Sequence, residues 1–179
     1  ISYADSEYRS NTIALTLKEI KPNHIPASTI LQKWKTGLSP QTKRLHECIC
    51  TLAPHVNWQQ TYFEEELGKD FLNRYGFFEL LGPTGHFHTI QTRAYIAYWD
   101  SQLYYPWHFH EAEELYFIIS GQAEFELEDQ QPEILTATKT CFHRSNQPHA
   151  LTTHSQPVLA LVIWRGSGLT LKSSLLVHK

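Results

Sequence analysis

Apolar residues in the first part of the chain follow a helical spacing. Up to about residue 75 they recur three and four positions apart, as on one face of an α-helix, beginning with the stretch Ile13–Ile20. Four prolines interrupt this pattern, at Pro22, Pro26, Pro40 and Pro54. We therefore expect three or four short helices. Gly37 is expected to end one of them, Ser39-Pro40 to begin the next, and the segment Tyr62–Tyr75 to form the last.

From Phe77 onward the pattern changes to short runs of aromatic and β-branched residues separated by Gly, Pro, Asn and Asp, which is typical of strands and turns. The predicted strands are Phe77–Leu81, Thr92–Trp99, Trp107–His110, Glu114–Ser120, Ala123–Leu127, Ile134–Ala137, Thr140–His143, His149–Thr152 and Val158–Trp164. This number of strands suits a double-sheet jelly roll or small β-barrel with the helices packed on its outside. The predicted fold class is therefore mostly β.

The length of 179 residues suits one domain with a single good core. We expect residues 1–76 to be a helical segment of that same domain, and residues 77–179 to be the β-barrel. The chain is 41% apolar with a formal net charge of -3, so it has no basic excess for nucleic acid or an anionic membrane. The expected partner is a small molecule. The three cysteines, Cys48, Cys50 and Cys141, suggest no disulfide or zinc ribbon, which favours the cytoplasm.

One short run of the chain carries the candidate chemistry. It contains His108, His110 and Glu114, and His149 lies further along the chain. Side chains alternate along a strand, so His108 and His110 are expected to point the same way, and Glu114 should share a face with Tyr116. A short turn after His110 would bring the two pairs together. Imidazoles and a carboxylate suit one divalent transition metal, and zinc, iron, manganese, nickel and cobalt all remain open.

Aromatic residues surround this run and are candidates to contact a ligand. They are Tyr98, Trp99, Tyr104, Trp107, Phe109 and Trp164. Aromatic faces attract cations by about 0.5 to 2 kcal/mol each, and we expect two or three of these residues to face the site. The parity of Tyr105 opposes that of His108, so Tyr105 reaches the site only if Pro106 interrupts the strand. His143 and His154 are expected to be structural or exposed.

The spacing H-x-H-x3-E-x6-G, with another histidine about 35 residues downstream, resembles the two motifs of the cupin superfamily. The resemblance implies a single jelly-roll domain that holds a metal. It places His108, His110, Glu114 and His149 on the metal, and it makes Gly121 the turn that ends the first motif.

A narrower likeness covers most of the chain. The motifs are Tyr-x4-His from Tyr105, His-x3-Glu-x-Tyr ending at Tyr116, and Arg-Ser-x-x-Pro-His-Ala over residues 144–150. Together with the helical first segment they resemble the cupin-type dimethylsulfoniopropionate (DMSP) lyases and their relatives. The two likenesses differ at His108, which is a ligand in the general pattern and a pocket residue in the narrower one.

The narrower likeness implies a metal-dependent carbon–sulfur lyase that converts DMSP into dimethyl sulfide and acrylate by β-elimination. In such an enzyme the metal acts as a Lewis acid on the substrate carboxylate. The likeness places His110, Glu114 and His149 on the metal, with Tyr116 as the base and Tyr105 as a second tyrosine at the site. The expected substrate contacts are Tyr105, Trp107, Tyr98 and Trp164.

Two other functions are open at this point. A cupin dioxygenase or isomerase acting on another small carboxylate would be recognised by oxygen consumption or by activity only with ferrous iron. A ligand-binding cupin without catalysis would not need tyrosines that can ionise beside its metal. The partner expected from the lyase reading is a small carboxylate that carries a sulfonium group. Many cupins pair through edge strands, so a homodimer is among the expected states.

Overall fold

The computed structural model describes residues 16–176, and within this range helices precede strands, as the sequence predicts. The helices are α1 (Pro26–Lys33), α2 (Lys43–Leu52) and α3 (Glu64–Arg74), with a 3₁₀ turn at Ala53–His55. The helix predicted over Tyr62–Tyr75 is confirmed as α3, although Gly68, with φ of 78°, kinks it. Among the described residues, no helix combines the length and the apolar character needed to cross a bilayer.

The boundary between α1 and α2 differs from the prediction. The helix α1 ends at Lys33, before Gly37, which lies in the connecting loop with φ of 69°. Ser39-Pro40 does not begin α2, because the N–H of Lys43 donates to the carbonyl of Ser39 at 2.8 Å and closes a turn first. The helix therefore starts at Lys43, three residues after the proline.

The first expected helix is also different where it can be compared. Leu17 lies in a two-residue strand, β1 (Thr16–Leu17), whose backbone pairs with Phe87. Pairing with another strand overrides the helical spacing of the apolar residues there. The beginning of the Ile13–Ile20 stretch lies outside the described residues.

The strands after α3 match the predicted order. They are β2 (Tyr75–Gly82), β3 (Phe87–His88), β4 (Thr92–Trp99), β5 (Tyr104–Phe109), β6 (Glu113–Leu127), β7 (Glu133–Thr136), β8 (Thr140–His143), β9 (His149–Thr152), β10 (Val158–Arg165) and β11 (Ser174–Leu175). The predicted bounds of β4, β8 and β9 agree residue for residue.

The strands form two layers that share β6. The first half of β6 pairs with β8 and β10, and β10, β4, β2, β3 and β1 continue that layer. The second half of β6 pairs with β7 and β9, and β9, β5 and β11 continue the other layer. This double-sheet barrel confirms the predicted mostly β jelly-roll class.

Gly121 lies where β6 passes from one layer to the other. The prediction of two strands separated by a turn at Gly121 is wrong, because β6 runs unbroken through this residue. Gly121 has φ of 74°, and a Cβ placed on it would lie 1.8 Å from the carbonyl oxygen of Pro157. Only glycine tolerates that approach, so Gly121 bends the strand instead of ending it.

Two apolar cores use the alternating faces of the same strands. Tyr95 and Trp99 of β4 point into the core between the layers. Ile96 and Tyr98 point the other way, into a second core with Leu31 of α1. Because successive side chains of a strand face opposite sides, the helices cover the outside of the barrel and leave its interior to the site.

Candidate metal centre and cavity

A cavity of about 260 Å³ opens into the barrel interior between the two layers. The side chains of its wall that bear on the chemistry are Trp99, Tyr105, His108, Glu114, Tyr116 and Trp164. Residues 59–61, just before α3, and residues 170–173, after β10, also line it. The helical segment and the last part of the chain therefore contribute to a site whose chemistry lies on the barrel strands.

Four buried side chains form a candidate metal centre, and one of them, Glu114, also lines the cavity. The possible ligand atoms of His110, Glu114, His143 and His149 all lie within 4.8 Å of one another. Each of these residues belongs to a different element or connection. His110 directly follows β5, Glu114 is on β6, His143 ends β8 and His149 begins β9. Pairing of β6 with β8 sets Glu114 directly opposite His143.

The imidazoles of His110 and His149 are oriented by the backbone. In each ring the Nδ1–H lies 2.8 Å from a carbonyl oxygen, that of Ala112 for His110 and that of Gln147 for His149. This bond turns Nε2 toward Glu114, whose Oε2 lies 3.1 Å from Nε2 of His110 and 3.4 Å from Nε2 of His149. Nε2 of His149 is buried without a hydrogen-bond partner. Such an arrangement is typical of histidines that ligate a metal.

Both side-chain oxygens of Glu114 accept hydrogen bonds. The indole N–H of Trp164, directly opposite on β10, donates to Oε1 at 2.7 Å, and Nδ1 of His143 lies 2.7 Å from Oε2. Burial alone raises the pKa of Glu114. The charge of His110 and the hydrogen bonds from His110 and His143 outweigh burial and place the pKa well below its ordinary value.

His143 was not predicted to lie at the site. From the sequence it was expected to be structural or exposed, because it is a histidine near the second motif without a spacing that marks a ligand. It is 1% exposed, and its Nε2 lies 3.4 Å from the Sγ of Cys141. Burial lowers the pKa of His143 to about 4 and raises that of Cys141 to about 12, so the ring is neutral and the sulfur is a thiol at neutral pH. The signal available was strand parity, because Cys141 and His143 share one face of a correctly predicted strand.

His108 lies beside the cluster but is not among the four residues whose ligand atoms converge. Its ring stacks on Tyr105 with centroids 4.0 Å apart and meets the edge of His149 at 4.1 Å. Its Nδ1–H donates to the carbonyl of Pro106 at 2.8 Å, and the side chain lines the cavity. This position matches the pocket role that the narrower likeness implies, and the ligand role stays a prediction.

Both predicted tyrosines line the cavity. Glu114 and Tyr116 share the buried face of β6, as alternation predicts. Tyr105 joins His108 on the inner face because the pairing of β5 with β9 shifts register between these two residues, on either side of Pro106. Burial is the main cause that raises the pKa of Tyr105 and of Tyr116 well above the usual value for tyrosine.

Tyr62 contacts Tyr105 through its hydroxyl and its ring. The sequence did not predict this contact. The two buried hydroxyls lie 3.0 Å apart, and the rings meet edge to face. Tyr62 comes from the loop before α3, so no motif linked it to the barrel strands.

The predicted substrate contacts divide into two groups. Tyr105 and Trp164 line the cavity. Tyr98 does not, because its face of β4 points to the helices, where its hydroxyl donates to Asp100. Trp107 is also not among the lining residues, since the register shift in β5 puts Tyr105 and His108 inside and leaves Trp107 partly exposed.

A two-layered β-barrel with histidines and a carboxylate buried between its sheets is the architecture that the resemblance to cupins predicts, with a candidate metal centre. A sequence model of the dimethylsulfoniopropionate lyase family matches residues 8–160. This chain therefore belongs to the DMSP lyase family.

Individual relatives agree with that assignment. The chain is 35% identical over 153 residues to the dimethylsulfoniopropionate lyase DddQ of Ruegeria pomeroyi, covering 86% of this chain and 76% of the relative. A crystal structure of DddQ from the same species superposes with a TM-score of 0.85 at 34% identity, covering 90% of this chain and 82% of that one. A chain from the crystal structures of the DMSP lyases RdDddP and RnDddQII superposes with a TM-score of 0.88 at 40% identity, covering 91% of this chain and 84% of that one.

Proposed function

We propose that this protein is a metal-dependent lyase that cleaves DMSP into dimethyl sulfide and acrylate by β-elimination. The observation that carries the proposal is the convergence of His110, Glu114 and His149 in one buried cluster, because Glu114 also lines the cavity together with Tyr116 and Tyr105. Membership of the DMSP lyase family supports the substrate.

The residues proposed to hold the metal are His110, Glu114 and His149. Two ligands that are each about 2.1 Å from one transition-metal ion lie about 3.0 to 3.4 Å apart at ordinary coordination angles. The distances from Oε2 of Glu114 to the two Nε2 atoms, 3.1 and 3.4 Å, fall in that range. A bound divalent cation would supply a Lewis acid for the substrate carboxylate and would favour a neighbouring phenolate.

Tyr116 is the proposed base. In the elimination the phenolate oxygen takes the hydrogen of the carbon next to the carboxylate, a carbon–carbon double bond forms, and the carbon–sulfur bond breaks. The sulfur leaves with the bonding electron pair as neutral dimethyl sulfide. Tyr116 suits this role because it follows Glu114 by two residues on the same face of β6 and borders the cavity. Tyr105 is the second phenol in the wall, held by Tyr62.

The remaining wall suits a cation that cannot donate a hydrogen bond. The ring of Trp99 lies against the rings of Tyr105 and Tyr116, with centroids 6.0 Å apart in each pair. Aromatic faces attract such a group by about 0.5 to 2 kcal/mol each. We therefore place the sulfonium end of the substrate against these rings and its carboxylate toward Glu114 and the histidines.

Within residues 16–176, we propose that the segment up to residue 76 and the barrel that begins at residue 77 fold as one domain, since α1 shares an apolar core with the outer face of the first layer. The three cysteines are unpaired, which supports a reducing compartment such as the cytoplasm.

The test is release of dimethyl sulfide into the headspace after DMSP is added to purified protein reloaded with several divalent metals. Replacing the base, Tyr116→Phe, should lower the rate by about 100-fold or more. Tyr104→Phe is the matched control, because Tyr104 is 50% exposed on β5 and lies outside the cavity wall. If the wild-type protein released no dimethyl sulfide with any of the metals, the proposed reaction would be wrong. Near-wild-type turnover by Tyr116→Phe would remove the base assignment alone.

A further inference from the structure

We propose that His143 is a positioning residue for Glu114 and not a metal ligand, and that the Cys141 thiol fixes the ring tautomer that this role requires. The inference rests on the proposed metal-dependent function. It deepens that proposal by dividing the four clustered side chains into three ligands and one group that acts through a ligand.

The first argument is distance. Nδ1 of His143 lies 2.7 Å from Oε2 of Glu114, whereas two ligands of one ion lie about 3.0 to 3.4 Å apart. A separation of 2.7 Å is that of a charge-assisted hydrogen bond from an N–H to a carboxylate. The nitrogen of His143 that is near the cluster is therefore a donor to Glu114.

The second argument is the ring tautomer. Because a carboxylate oxygen only accepts, Nδ1 of His143 carries a hydrogen, and Nε2 of the neutral ring is then the acceptor for the thiol of Cys141, 3.4 Å away. A neutral imidazole then carries its one hydrogen on Nδ1, which is the nitrogen that faces Glu114. Both nitrogens of His143 are thus satisfied, in contrast to Nε2 of His149, which has no hydrogen-bond partner.

The third argument is what the hydrogen bond does to Glu114. Trp164 fixes Oε1 from β10, and His143 fixes Oε2 from β8, so neighbouring strands on both sides clamp the carboxylate. The hydrogen bond from His143 uses one of the two lone pairs of Oε2 and leaves the other for a metal held with His110 and His149. Partners of this kind commonly change metal affinity by 10- to 100-fold when removed.

The two amide replacements of His143 form the test. The side-chain nitrogen of asparagine can occupy the place of Nδ1, whereas that of glutamine reaches the place of Nε2. Metal-free protein would be titrated with Co²⁺, whose visible spectrum reports the number and kind of ligands, and stoichiometry would be measured alongside. Melting temperatures of the metal-free variants control for folding. No substrate is needed, so failure of the lyase reaction and failure of this inference are separate results.

We expect His143→Asn to bind one Co²⁺ with an affinity within about threefold of wild type and an unchanged spectrum. His143→Gln should bind one Co²⁺ about 10- to 100-fold more weakly, again with an unchanged spectrum. His149→Ala, which removes a proposed ligand, should change the spectrum itself. A spectrum of His143→Asn altered like that of His149→Ala would make His143 a ligand and overturn the proposal.

The Cys141 variants test the tautomer independently of any change at His143. Cys141→Ser keeps a hydrogen-bond donor and should keep the Co²⁺ affinity, whereas Cys141→Ala should weaken it severalfold without changing the spectrum. Equal affinity of Cys141→Ala and wild type would remove the role of the thiol.

Discussion

The hydrogen bond from Trp164 to Glu114 offers a quantitative check on how the carboxylate is held. Trp164→Phe keeps an aromatic ring between Tyr95 and His110, whose rings lie 5.6 and 4.4 Å from it, but removes the indole N–H that donates to Oε1 at 2.7 Å. A hydrogen bond to a charged group contributes about 1.5 to 3 kcal/mol, and Glu114 is too buried for water to replace it.

That loss should appear in the free energy of unfolding of the metal-free protein. For a chain of this length each kcal/mol shifts the melting temperature by about 2 to 4 °C, so we expect a decrease of about 3 to 12 °C. Trp107→Phe is the matched control, because Trp107 is partly exposed outside the cavity wall and should change the melting temperature by less than about 3 °C. Urea unfolding at pH 7.5 would give the free energies directly.

A double-mutant cycle with Glu114→Gln separates the hydrogen bond from ring packing. If the indole acts through the carboxylate, the two substitutions should be non-additive by about 1 to 2 kcal/mol. A coupling energy below about 0.5 kcal/mol, or a loss in Trp164→Phe no larger than that in Trp107→Phe, would refute the reasoning.

Two further predictions concern stability away from the cavity. Gly121→Ala should lower the free energy of unfolding by about 3 kcal/mol or more, because its Cβ would clash with the carbonyl of Pro157. Gly37→Ala, which is also at positive φ but has open space around it, should lower it by only about 1 kcal/mol in urea unfolding. Equal losses would contradict the role of Gly121 in bending β6. Burial lowers the pKa of His46 below that of the unfolded chain, so its contribution is complete above about pH 6.5 and is lost as pH falls. His46→Gln should flatten the decline in unfolding free energy between about pH 6.5 and 5 by at most about 1.4 kcal/mol per pH unit, and an unchanged slope would count against this assignment.

Local sequence patterns predicted the strands and the faces of their side chains. Runs of aromatic and β-branched residues between turn residues gave β4, β8 and β9 their bounds, and strand alternation put Glu114 and Tyr116 on one face. Which face of β5 Tyr105 lies on depended on whether Pro106 interrupts the strand. The register shift between β5 and β9 puts Tyr105 on the inner face, and alternation alone could not predict that shift.

The rest depended on which strands pair, and local patterns do not contain that information. His143 joins the cluster because β8 pairs with the first half of β6 and sets it opposite Glu114. Tyr62 reaches Tyr105 because the loop before α3 folds over the barrel. Tyr98 lies outside the site, because its face of β4 is the one that the helices cover. Each of these depends on contacts between residues distant in sequence.

The most direct test of the account is a crystal structure of the metal-loaded protein with anomalous diffraction measured at the absorption edge of the metal. We predict one anomalous peak per chain, bonded to Nε2 of His110, Nε2 of His149 and an oxygen of Glu114, with Nδ1 of His143 still hydrogen-bonded to that carboxylate. A cavity without a peak after reloading, or a peak elsewhere in the chain, would contradict the central claim.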